Sequence, residues 1–149
     1  MRNVYLMMRQ RLADGPALTR QVAGALRAEG MTVCPELWLQ QAAGEAVPCE
    51  PETFPMDVIV SVGGDGTLLR ATQTALRHNV PVLGINMGHI GFLVESEMDG
   101  LKDVCRRLKE DDFTIENRMM LEVVLQDGSV ETALNDVVIS RGGYARLIA

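Results

Sequence analysis

Apolar positions recur along this chain in two spacings, and the change from one to the other divides it. Val4 to Met8 is an unbroken apolar run closed by Arg9, which predicts a first strand. Asp14-Gly15-Pro16 then opens a helix with proline at or near its first position, with Leu18, Val22, Ala25 and Leu26 on one face and Gly30 at its end. Met31 to Cys34 predicts a second strand, a βαβ start whose crossover should be right-handed. Four prolines interrupt Pro35 to Pro55 and no period emerges, so this stretch reads as a loop with a short helical piece around Leu37 to Ala43. Val58 to Val62 is a β-branched run suited to a strand covered on both faces. A helix from Thr67 to about His78 has Leu68, Leu69, Thr72, Ala75 and Leu76 available for burial, and Pro81 to Ile85 is the next strand. Asp99 to Lys109 predicts another helix, with Leu101, Val104, Cys105 and Leu108 inward at helical spacing and its cations outward.

After Asp112 the pattern becomes strand-like. Met120 to Leu125, Val130 to Ser140 and Tyr144 to Ala149 follow one another with no helix between them, and Gln126-Asp127-Gly128-Ser129 reads as a hairpin turn. The expectation is an α/β fold. Residues 1–116 form a Rossmann-like open parallel sheet, and residues 117–149 begin an antiparallel β-rich domain that stops inside a strand and reads as incomplete. Such an ending would leave strand edges and an apolar face uncovered, so self-association or partial disorder is expected after about Asn117.

Composition narrows the classes. The 149 residues suffice for one domain with a real core and are too few for two full ones, and 47% hydrophobic with 23% charged residues is ordinary globular material. A net charge of −6 argues against a nucleic-acid surface, and the basic cluster from Lys102 to Lys109 is most simply the solvated face of its helix. Cys34, Cys49 and Cys105 are an odd count without C-x-x-C spacing, which disfavours a disulfide framework or a zinc site and suggests thiols in a reducing compartment. The Val4 to Met8 run is too short for a signal-peptide core or a membrane span, so a cytoplasmic protein away from membranes is expected.

The candidate chemistry sits in Val62-Gly63-Gly64-Asp65-Gly66-Thr67. Three glycines in four positions let a ligand approach the main chain, and the following helix would aim its positive end at the turn, an arrangement suited to phosphate. Asp65 is the odd residue, because a carboxylate repels phosphate and so points to a metal or a proton. The turn has neither G-x-G-x-x-G spacing nor a lysine as in G-x-x-x-x-G-K-[ST]; its cation is Arg70, one helical turn beyond Gly66 and able to point back. The plain alternative is a Gly-Asp-Gly turn that merely joins strand to helix. Asn86-Met87-Gly88-His89-Ile90-Gly91-Phe92 follows the next strand, at the sheet edge where ligands sit in open α/β folds.

Three segments in order, Gly63-Gly64-Asp65-Gly66-Thr67, Asn86-x-Gly88-x-x-Gly91-Phe92 and Ala133-Leu134-Asn135-Asp136-Val137-Val138, resemble the NAD kinases, also described as ATP or polyphosphate NAD kinases. The first motif also occurs in diacylglycerol and sphingosine kinases, and the other two separate the families. The resemblance implies phosphoryl transfer from ATP or polyphosphate to the 2′-hydroxyl of NAD, giving NADP, with a divalent cation (Mg²⁺ or Mn²⁺) carried on the nucleotide and no metal-ligand set of its own. It implies Asp65 as the proton acceptor, and Gly63, Gly64, Gly66 and Thr67 against the substrates. Asn135 and Asp136 look like the family's dinucleotide-contacting pair, whose amide and carboxylate suit ribose hydroxyls. Arg70 and Arg146 stand where the family often has a ligand-contacting base, and Asn86, His89 and Phe92 look like pocket lining. For His89 a structural role is the alternative; for Phe92 it is the core. The family usually forms homo-oligomers. The family's later Gly-x-Thr-Ala-Tyr stretch has no counterpart here, so the isolated chain is expected to lack activity. Competing readings are a lipid or sphingoid kinase domain, which Asn135-Asp136 speaks against, and a non-catalytic nucleotide-binding module.

Overall fold

The structure, a computed structural model, describes residues 1–10, 14–44, 49–87 and 96–139. Those residues fall into two compact units, divided between Ile115 and Glu116. The first holds β1 (Asn3–Met8), α1 (Gly15–Ala28), β2 (Thr32–Pro35), α2 (Leu37–Ala43), β3 (Val58–Gly63), α3 (Asp65–His78), β4 (Val82–Asn86), β5 (Ser96–Glu97) and α4 (Leu101–Glu110). The five strands form one sheet in the order β2-β1-β3-β4-β5, with every neighbouring pair parallel. This is the open α/β sheet that the alternation of apolar runs and helical periods predicts. Its chain order reverses between β1 and β3, which places the topological switch point there.

Because side chains alternate across a strand, β1 and β3 serve two cores at once. Val4, Leu6, Met8, Val58, Val60 and Val62 pack on one face, with α1 supplying Val22, Ala23 and Leu26 and α4 supplying Leu101, Cys105 and Leu108. Tyr5, Met7 and Ile59 point the other way, against Ala71 and Ala75 of α3. Each fully buried aliphatic side chain here contributes about 1.5–3 kcal/mol relative to exposure. The α3 stripe is rotated from the expected one: Thr67, Leu68, Ala71, Thr74 and Ala75 are buried while Leu76 is 46% exposed. Small residues at Ala71 and Ala75 let the helix approach the sheet closely, and that selects the face over side-chain size.

The cysteine expectation is corrected. Cys34 and Cys49 are joined in a disulfide across 15 residues, with Cα atoms 5.8 Å apart, and among the described residues only Cys105 is a free thiol. The pairing follows from how the chain returns after α2. Gln40 donates to the carbonyls of Pro35 (3.0 Å) and Cys49, and accepts from the Cys49 amide (3.2 Å), which draws the two cysteines together. Spacing along the chain carries no record of such a return. With Cys34 and Cys49 paired, the cysteines give no sign of a reducing compartment. Burial, reinforced by Glu29, pushes the Cys105 thiol up to about 11.

In the second unit β6 (Leu121–Val124) and β7 (Val130–Ala133) pair antiparallel, with Leu121 opposite Ala133 and Val124 opposite Val130. The turn forms where expected: Gly128 has φ +83°, and Asp127 accepts from the Ser129 amide at 2.9 Å and hydroxyl at 2.6 Å. The second strand is shorter than its apolar run suggests, ending at Ala133 before a bend at Leu134 and Asn135. The third predicted strand, Tyr144 to Ala149, lies outside the described residues.

Candidate functional site

β3 ends at Gly63, and α3 begins directly at Asp65 with Gly64 as its N-cap. The helix thus starts two residues earlier than its periodicity suggests. Asp65 occupies its first turn, where the positive end of the helix dipole favours a carboxylate, so the residue is at home in the fold. Gly63 takes φ +157°, and a Cβ there would press into Thr67 Oγ1 and come within 3.2 Å of Arg9 Cβ. Thr67 is buried, and its amide donates to the Gly64 carbonyl at 2.9 Å. The tight turn therefore needs glycine at position 63 on steric grounds.

A cavity of about 460 Å³ opens beside this turn, lined by Arg9, Gln10, Gly64, Gly66, Thr67 and Arg70. Arg9 and Gln10 follow β1 and the other four follow β3, so the cavity sits at the carboxyl ends of the two strands flanking the switch point. Four of the expected site residues, Gly64, Gly66, Thr67 and Arg70, meet here, while Gly63 and Asp65 are not among the lining residues. Asn86, 9% exposed, is paired in register with Gly63 at the end of β4. Asn135 and Asp136 belong to the second unit, where the Asn135 amide donates to the Asp136 carboxylate at 3.2 Å. His89, Phe92 and Arg146 lie outside the described residues.

Arg70 is not the loosely held cation that its position suggests. Both Nη atoms engage the Glu36 carboxylate, one at 3.1 Å, and Nη2 also donates to the Met8 carbonyl at 2.6 Å. Glu36, only 8% exposed, accepts in addition from the Met8 amide at 3.1 Å and the Trp38 indole at 3.2 Å. Nearby Tyr5 is pushed up to about 12, first by burial and then by the Glu36 charge. Neither Glu36 nor Arg9 was recognisable from the sequence. Glu36 lies 34 residues from its partner in a stretch without period, and Arg9 becomes a cavity residue only when β1 is known to lie beside β3.

Among the described residues no group of three or more His, Cys, Asp or Glu could hold a metal ion. Among the described residues no helix is long and apolar enough to cross a membrane.

The sequence model of the family described as "ATP-NAD kinase N-terminal domain" matches residues 16–113. The NAD kinase of Acetivibrio thermocellus is 37% identical over 137 residues, covering 87% of this chain and 47% of that protein. The NAD kinase of Gemmatimonas aurantiaca is 40% identical over 118 residues, 76% of this chain and 40% of that protein. The crystal structure of yeast NADH kinase complexed with NADH superposes with a TM-score of 0.73 at 19% identity, covering 91% of this chain and 44% of that one, a likeness of fold. The chain thus spans about half the length of the curated relatives it matches.

Proposed function

The chain belongs to the ATP-NAD kinase N-terminal domain family, and from that membership we propose that it carries the phosphate-side part of an enzyme that phosphorylates NAD. The acceptor is the 2′-hydroxyl of the adenosine ribose and the donor is ATP or polyphosphate. The carrying observation is the cavity at the carboxyl edge of the sheet, lined by Gly64, Gly66, Thr67 and Arg70, with Asp65 in the chain between two of those glycines on the first turn of α3. In the proposed reaction the hydroxyl oxygen bonds to phosphorus as the bond to the donor's bridging oxygen breaks, and the hydroxyl proton passes to Asp65. A carboxylate is a weak base for a sugar hydroxyl, so the proton moves late, once the new bond has begun to form. Gly64 and Gly66 admit the phosphate chain close to the backbone, and Thr67 fixes the turn. A divalent cation carried on the phosphates would neutralise charge on their oxygens. Asn135 and Asp136 would meet the dinucleotide's ribose, with Asn86, His89, Phe92 and Arg146 as further lining. The same reading makes the working protein a cytoplasmic homo-oligomer with no nucleic-acid or membrane partner.

The test supplies ATP, Mg²⁺ and NAD and follows NADP with an NADP-specific dehydrogenase. The isolated 149 residues are expected to bind nucleotide with little turnover, because positioning from one side leaves the acceptor loose. Turnover within tenfold of a complete NAD kinase would show that they are a sufficient catalytic unit. In a full-length NAD kinase carrying this sequence, Asp65→Asn is expected to slow transfer ~10²–10⁴-fold with NAD affinity nearly intact. If calorimetry shows binding falling as steeply as turnover, Asp65 is an anchor and not the base. Nucleotide binding without turnover in that longer protein would identify a binding module instead.

A further inference from the structure

The cation expected to meet phosphate, Arg70, has both Nη atoms engaged within the fold, and a second guanidinium lines the same cavity. Arg9 is exposed, and among the described residues it has no ion-pair partner. Its backbone is held firmly even so. The Arg9 amide donates to Val62 O at 2.9 Å, which extends the β1–β3 ladder one step beyond the strand. The preceding peptide groups are held from both sides: the Met8 amide donates to Glu36 Oε2 at 3.1 Å, and the Met8 carbonyl accepts from Arg70 Nη2 at 2.6 Å. Glu36 and Arg70 are paired with each other, so the two form one bracket around Met8.

We propose that Arg9 is the cation that contacts the phosphate chain in this cavity, and that Glu36 and Arg70 are a positioning pair that fixes the end of β1 from which Arg9 projects. The division of labour follows from charge. Arg70 is neutralised by a carboxylate at 10% side-chain exposure and brings little net positive charge to an incoming anion. Arg9 brings a whole charge, and its backbone stands against the glycine turn, since a Cβ built on Gly63 would lie 3.2 Å from Arg9 Cβ. A fork of N–H donors suits phosphate oxygens, and a pre-fixed backbone lowers the ordering cost of using it. This inference rests on the reading of the cavity as a phosphate site, and the experiment separates the two.

The probe is inorganic tripolyphosphate, titrated by calorimetry into the 149-residue chain over a range of salt concentrations, with thermal melts to show that each variant is folded. Arg9→Ala is expected to weaken binding roughly tenfold or more and to flatten its salt dependence, while Arg9→Lys recovers most of the affinity. The double variant Glu36→Gln/Arg70→Gln leaves the net charge unchanged. It is expected to bind more weakly yet keep the wild-type salt dependence, a pattern that loss of a contacting charge would not give. Arg9→Ala binding like wild type, or the double variant flattening the salt dependence as Arg9→Ala should, overturns the assignment while the phosphate reading stands. A folded wild-type chain that binds neither tripolyphosphate nor MgATP overturns the phosphate reading and this inference with it.

Discussion

β3 and the β6–β7 hairpin are both rich in valine, yet all six residues of β3 are buried and no described residue after Ile115 is. Val58, Ile59, Val60 and Val62 are at most 2% exposed, whereas Val124 is 65%, Val130 53% and Val138 71% exposed. The difference lies in layering. β3 runs between two neighbouring strands with helices on both faces, while among the described residues β6 has only β7 beside it. Apolar sequence therefore produces stability only where a second layer exists to receive it, and an isolated two-stranded pair is marginal in water.

The widest gap between the two regions should come from core truncation. Leu6→Ala is expected to cost about 2–5 kcal/mol in urea unfolding, against less than about 0.5 kcal/mol for Val124→Ala. Comparable costs at both sites would mean that the hairpin has a packed partner in solution and would break the comparison. Next in size is the Cys34–Cys49 bond. A dithiol reductant should remove about 3 kcal/mol and lower the melting temperature by roughly 10 °C. Hydrogen exchange should then quicken in β1 to β4 and leave β6 and β7 unchanged. A smaller effect is expected of Gly63→Ala, about 1–3 kcal/mol from backbone conformation and the clash with Thr67, read as a shifted denaturation midpoint together with lost tripolyphosphate binding. The smallest is a pH effect confined to the first unit. Tyr5 holds its proton to about 12 in the fold, above the ordinary tyrosine value of 10, so its contribution is complete below pH 10 and is lost as pH rises from there through 12. Denaturation midpoints measured between pH 9 and 12 should fall less in Tyr5→Phe than in wild type, roughly by the share Tyr5 contributes.

Much of the first unit was legible because its signals are local. Pro16 near the helix start, Gly30 after its end and the β-branched run before Gly63 each mark an element without reference to the rest of the chain, and α2 was placed at Leu37 to Ala43 despite the prolines around it. The turn at Gly63 to Thr67 was legible as a strand-to-helix junction for the same reason. What escaped notice depends on contacts between distant segments: the disulfide formed when the chain returns after α2, the rotated face of α3 and the bracket around Met8. Arg70 shows the limit most directly. Its distance from Gly66 was right, but its charge is engaged by a carboxylate that nothing local marks as near.

The register of the hairpin also bears on how this chain behaves at high concentration. Opposed residues share a face, so Glu122 lies with Val124, Val130 and Thr132, while Glu131 lies with Leu121, Val123 and Ala133. Each face of a largely apolar ribbon thus carries one carboxylate. Such inward or facing charges act as gatekeepers, because a second ribbon laid on either face would have to desolvate one without a partner. Glu131→Val would join Leu121, Val123 and Ala133 into an unbroken apolar strip, and stacking of ribbon on ribbon would then meet no electrostatic objection from that side.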